Sequence, residues 1–99
     1  MARRKKLTRA LKVVAVDWLD ATGATEWTTE AEAKLSTPAL VTTIGVILVK
    51  DSQRTVIAST IGHGSDRAVG DVTVVPSTWV QAVKPLGEVL IADDEPTKA

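Results

Sequence analysis

The chain has no cysteine, no phenylalanine and no tyrosine, and it carries a single histidine and a single methionine. Without cysteine there is neither a disulfide framework nor a thiolate zinc site. One histidine leaves little material for metal binding, redox work or nucleophilic catalysis, so the reading is of a non-enzyme that needs no cofactor and no metal. No apolar run approaches the roughly 18 residues of a membrane span. The stretch Leu11-Lys12-Val13-Val14-Ala15-Val16-Asp17 is broken by charge too soon for a signal-peptide core. A soluble, intracellular chain that meets no membrane is the expectation.

The residues present make a small, aliphatic, oddly charged chain. Its 99 residues suit one domain, with 44% hydrophobic and 24% charged residues. The formal net charge is zero, yet residues 1–12 hold six basic groups (Arg3, Arg4, Lys5, Lys6, Arg9, Lys12) and no acid. Twelve basic residues less those six leave six against all twelve acids, a net −6 over 13–99. The expected organisation is a basic arm over 1–11, a β domain over 12–92 and an acidic polar tail over 93–99. Long-range attraction for phosphate polymers then belongs to the arm alone.

β-Branched residues dominate after the arm. Val14, Val16 and Trp18 alternate with Val13, Ala15 and Asp17, which predicts a strand over about Lys12–Leu19. Thr29 with Glu32 three positions later fits a capping box, and Pro38 restricts the helix it starts to one or two turns. Val41–Lys50 is the strongest strand. It is apolar on both faces, as a central or sharply bent strand is, and Gly45 permits a close backbone approach. Gln53–Ile61 runs back antiparallel, and 62–70 is a loop with three glycines. A short strand over Asp71–Val75, with Val72 and Val74 facing inward, precedes a 3₁₀ turn at Pro76-Ser77-Thr78-Trp79. Val80–Lys84 is the last barrel strand, ended by Pro85, with Gly87–Ala92 as an added edge.

Five or six short antiparallel strands with a 3₁₀ turn before the last barrel strand predict a mainly β fold, a small SH3-like or Sm-like barrel. Leu7, Ala10 and Leu11 are spaced to allow the N-terminal helix of the Sm-like variant. A β-sandwich fragment or plain meander is the alternative.

Three stretches carry a resemblance: Val16-Asp17-Trp18-Leu19-Asp20, Trp27 after a loop, and Val75-Pro76-Ser77-Thr78-Trp79-Val80, with the central glycine of Ile44-Gly45-Val46 between them. Over about residues 12–86 the chain resembles a loose group of small tailed-phage proteins of the SH3-like barrel type. The resemblance implies a phage-encoded protein expressed in the host cytoplasm, or carried in the virion, and no particular chemistry.

Candidate functional residues are few. His63 lies with Ser65, Asp66 and Arg67 in the glycine-rich loop. A histidine beside a carboxylate is a seed for acid–base work, but without an oriented nucleophile it specifies no reaction, and the plain reading is a solvated hairpin loop. Gly62-x-Gly64 joins two strands, unlike a phosphate-cradling loop, though backbone N–H groups and Arg67 together suit a single anion. Trp18 and Trp79 are expected to anchor the barrel ends. Trp27, in a polar loop, is the best contact residue, or else packs back on the barrel. Asp17 with Asp20, and Asp93 with Asp94, resemble acid–base pairs in composition alone, and the tail acids read as a solvated end.

The leading expectation is a small phage accessory protein that binds a host or phage protein through Trp27, His63, Asp66 and Arg67, as a homo-oligomer. The alternatives are nucleic-acid binding by Arg3, Arg4, Lys5, Lys6 and Arg9 within residues 3–12, a virion or assembly component, and sequestration of a small charged ligand such as a nucleotide signal.

Overall fold

The computed structural model describes residues 8–23 and 25–93. β1 (Thr8–Asp20) leads through a long excursion holding the single-turn α1 (Glu30–Ala33) to β2 (Ala39–Lys50). β3 (Arg54–Ile61), β4 (Val69–Pro76), a 3₁₀ turn (Ser77–Trp79) and β5 (Val80–Ala92) complete the chain of elements. All five strands form one antiparallel sheet in the order β4-β3-β2-β1-β5. The mainly β fold and the 3₁₀ turn before the last strand are those the residue pattern predicts.

The core explains why the sheet curls. Val14 and Val16 of β1 and Ile57 of β3 form a buried cluster, with Trp18, Ile47, Val80 and Val83 packed against it. In a flat sheet of this order β3 and β5 would lie three strand spacings, roughly 14 Å, apart. Their side chains meet because the sheet bends across β2 and β1. Gly45 makes room for that bend: a Cβ there would stand 2.5 Å from the Ala58 carbonyl oxygen and 2.9 Å from Ile57 Cγ2. Among the described residues no ladder joins the edge strands β4 and β5. Contact between the two sides comes instead from the loop after β3. The Gly64 N–H donates to the Ala92 carbonyl at 2.9 Å, and the Ala92 N–H donates to His63 Nδ1 at 3.0 Å.

Several boundaries differ from the sequence reading: β4 opens at Val69, inside the loop expected over 62–70. Thr8–Leu11, assigned to the arm and spaced for a helix, are strand, because each residue from Thr8 to Lys12 pairs in register with β5. β5 does not stop at Pro85 but runs on as one strand to Ala92. Pro85 is tolerated because β5 is an edge strand and the ladder is irregular there: Val14 pairs Pro85, Val13 pairs Gly87 and Leu86 is skipped. Gly87, at φ 137°, takes a conformation open to glycine. Asp93, read as part of a solvated tail, is buried.

Candidate functional site

At the end of the sheet where β1 leaves and β2 enters, the described residues of the 21–38 excursion are all exposed. Thr29 caps α1 by accepting the Glu32 N–H at 3.2 Å, and Thr28 donates to Glu32 Oε2 at 2.8 Å. The Thr29 half of the expected capping box forms, while the Glu32 carboxylate is taken by the Thr28 hydroxyl, and no residue of α1 is buried. Trp27 is fully exposed and Leu35 is 80% exposed. Trp27 therefore does not pack back on the sheet.

The base of the excursion frames a shallow apolar groove of about 290 Å³, lined by Leu19, Ala21, Pro38, Thr78 and Trp79. Trp79 is 41% exposed and contributes to this groove. Trp18 is the more firmly held of the two. It packs on the core cluster, and its indole N–H donates to Thr43 Oγ1 at 3.0 Å.

His63, Asp66 and Arg67 lie at the opposite end of β1, beside Thr8 and Ala92. The Gly62 N–H donates to the Ala68 carbonyl at 2.8 Å, and Asp66 Oδ1 accepts the Ala68 N–H at 3.3 Å. Gly64 and Arg67 both have positive φ, at 133° and 53°. The left-handed conformation costs a non-glycine residue about 1 kcal/mol. Arg67 is held in it by its N–H bond to the Gly64 carbonyl at 3.2 Å and by an ion pair to Asp93 Oδ2 at 3.1 Å. Arg9 Nε meets the other Asp93 oxygen at 2.6 Å. One buried carboxylate thus joins β1, the glycine loop and the end of β5. His63 Nδ1 is occupied by the Ala92 backbone, and Asp66 is turned to the Ala68 N–H, so the loop does not assemble the base-and-nucleophile pair that covalent catalysis needs.

The structure divides the proposed contact residues. His63, Asp66 and Arg67 share one loop, while Trp27 stands at the far end of β1. Arg9, expected to meet phosphate, is engaged with Asp93, and Arg3, Arg4, Lys5 and Lys6 lie outside the described residues. Among the described residues no three His, Cys, Asp or Glu side chains come together to hold a metal ion. No described helix is long and apolar enough to cross a membrane.

Asp17 bonds Thr42, whose hydroxyl donates to Oδ1 at 2.7 Å, and Lys84, whose ammonium lies 2.9 Å from Oδ2. The Thr42 bond foremost, with Lys84, holds the carboxyl below the usual carboxylate range. A general acid requires the opposite shift.

No family model matches this chain, and neither a curated protein nor a solved structure does.

Two features escaped the sequence reading. One is the Asp93 junction, whose partners Arg9 and Arg67 are remote in sequence. The other is the groove at Trp79, assembled from the two ends of the excursion and the 3₁₀ turn. β4 corrects the reading in a further way: Val72 and Val74, expected to face inward, are 46% and 60% exposed, and Val75 is the buried residue of that strand.

Proposed function

We propose that this chain is a non-enzymatic protein-binding module, a small phage accessory protein that works as a homo-oligomer. The observation that carries the binding reading is Trp27. A tryptophan left wholly in water, on an excursion whose described residues are all exposed, has no role in the core. Tryptophan is the side chain most enriched where binding energy concentrates. The groove at Trp79 lies at the base of the same excursion, so one end of the molecule presents both an apolar projection and an apolar recess. Glu26, Glu30 and Glu32 against Lys34 make the excursion acidic, which suits a protein partner with an apolar pocket rimmed by basic groups. The phage context rests on the Val16–Asp20 and Val75–Val80 resemblance.

Affinity purification from phage-infected bacterial cells, run in parallel with wild type and Trp27→Ala, tests this reading. The expected result is a protein retained by wild type and lost by the variant, with the melting temperature unchanged. A partner held equally by both, or by neither, rejects the role of Trp27.

A further inference from the structure

The loop after β3 grips the end of β5 from the side opposite β1. Thr8 pairs Ala92 across the β1–β5 ladder, and both backbone groups of Ala92 turn outward to the loop. The Ala92 carbonyl accepts the Gly64 N–H at 2.9 Å, and the Ala92 N–H donates to His63 Nδ1 at 3.0 Å. Gly64 reaches its place with φ at 133°, a conformation open to glycine. Among the described residues these two hydrogen bonds and the Arg67–Asp93 ion pair are the polar ties between the loop and β5. One of the two hydrogen bonds depends on the protonation state of an imidazole.

We propose that His63 is a pH-operated latch, closed by the neutral ring and released when the ring takes up a proton. An amide N–H can only donate, so Nδ1 accepts with its lone pair and the ring proton sits on Nε2. A protonated imidazole carries hydrogens on both nitrogens and accepts nothing. It sets Nδ1–H against the Ala92 N–H, donor against donor. His63 is exposed, so the charged ring turns to water and the bond opens. Imidazole is the side chain that ordinarily changes charge between about pH 5 and 8. The latched form holds one proton fewer than the open form. The tie is therefore complete at the alkaline side of that interval and is lost as pH falls through it.

The charges around the latch come from four elements. From the loop, Asp66 accepts the Ala68 N–H and Arg67 pairs Asp93. Asp93 follows β5, and Arg9 of β1 binds its other oxygen. Asp71 of β4 is bonded by the Thr60 hydroxyl, and Lys12 and Glu88 stand opposite one another further along β1 and β5. Carboxylates and guanidiniums ordinarily keep their charges between about pH 5 and 8, which leaves the imidazole to respond. Its proton adds a third positive charge to those of Arg9 and Arg67 around one Asp93 carboxylate. The Arg67–Asp93 pair remains as a tether, and the sheet ladders contain no histidine. Acid thus loosens the loop and frees the Ala92 N–H at the edge of β5 while the sheet stands.

The full chain has one histidine, so its imidazole resonances report His63 alone. Two-dimensional NMR between about pH 8 and pH 5 follows them together with the exchange protection of the Ala92 amide, referred to that of Val16, which is fully buried in β1. His63→Asn is the control, since its side-chain oxygen offers an acceptor near the place of Nδ1 and does not titrate. The expected result is a fall of about fivefold in wild-type Ala92 protection, the effect of losing one ordinary hydrogen bond, with the midpoint of the imidazole titration. In His63→Asn the Ala92 protection stays level over the same range. A wild-type Ala92 amide whose protection holds constant while His63 titrates overturns the latch, and so does an equal fall in His63→Asn.

Discussion

Arg9 Nε lies 2.6 Å from Asp93 Oδ1, across 84 positions of sequence. Arg67 meets the second oxygen of the same carboxylate at 3.1 Å. The Asp93 side chain is 11% exposed and that of Arg9 25%, so this pair is shielded well beyond an ordinary surface ion pair.

Asp93→Ala leaves a half-buried arginine without its partner. The expected cost is about 2 kcal/mol, or roughly a 10 °C fall in melting temperature for a domain of this size. Arg67, with its side chain 63% exposed, contributes less, and Arg67→Ala is expected to cost under about 1 kcal/mol. Thermal melts of the two variants rank them. Equal effects would mean that the Arg9 contact carries no particular weight.

Gly45→Ala tests the bend in the sheet. The added Cβ meets backbone, the Ala58 carbonyl, where no flexible side chain can yield. A cost of about 3 kcal/mol is expected, at the upper end for overpacking. Gly23→Ala is the control, since nothing lies within 4 Å of a Cβ there. Urea midpoints of the two variants provide the comparison.

Among the tryptophans, Trp18→Ala is expected to cost about 3 kcal/mol, because it removes an indole packed on the cluster of Val14, Val16 and Ile57. Trp27→Ala, which uncovers nothing, is expected to stay within about 0.5 kcal/mol of wild type. Chemical denaturation monitored by far-UV circular dichroism separates them.

Acid sensitivity arises from Asp17 and Asp51. The Thr42 hydroxyl and Lys84 hold the first below the usual carboxylate range, and the backbone N–H groups of Arg54 and Gln53 hold the second there. The unfolded chain therefore takes up these protons at higher pH than the folded chain does. The stabilisation they supply is complete above the ordinary aspartate range of about pH 4 and is lost as pH falls through the lower folded values. In melts between pH 7 and pH 2.5, Asp17→Asn is expected to lose less stability on acidification than wild type.

Local chemistry was readable in the residues, and remote chemistry was not. The alternation of Val14, Val16 and Trp18, the Thr29–Glu32 cap and the 3₁₀ turn after Pro76 depend on neighbours within a few positions, and each appears in the structure. Gly45 was legible because an interior strand glycine signals close backbone approach. The extent of β5 was hidden by Pro85, which looks like a terminator until the strand is known to lie at an edge with Leu86 skipped. Arg9 and Asp93 were assigned to charged ends because each lies in a run of its own sign, and only the β1–β5 register brings them together. Trp27 could not be placed from sequence, since a tryptophan between threonines and glutamates suits either a packed loop or a free one.

Thr8 and Ala92 stand opposite one another on β1 and β5, about one strand spacing apart, or roughly 5 Å. The order in which the strands are threaded is therefore close to circular. A short linker from Asp93 to Thr8 in place of residues 94–99 and 1–7, with the chain recut inside the 21–38 excursion, preserves every ladder of the sheet and the Arg9–Asp93 pair. Such a permuted protein is expected to give the parent's circular dichroism spectrum, with β1 synthesised last instead of first.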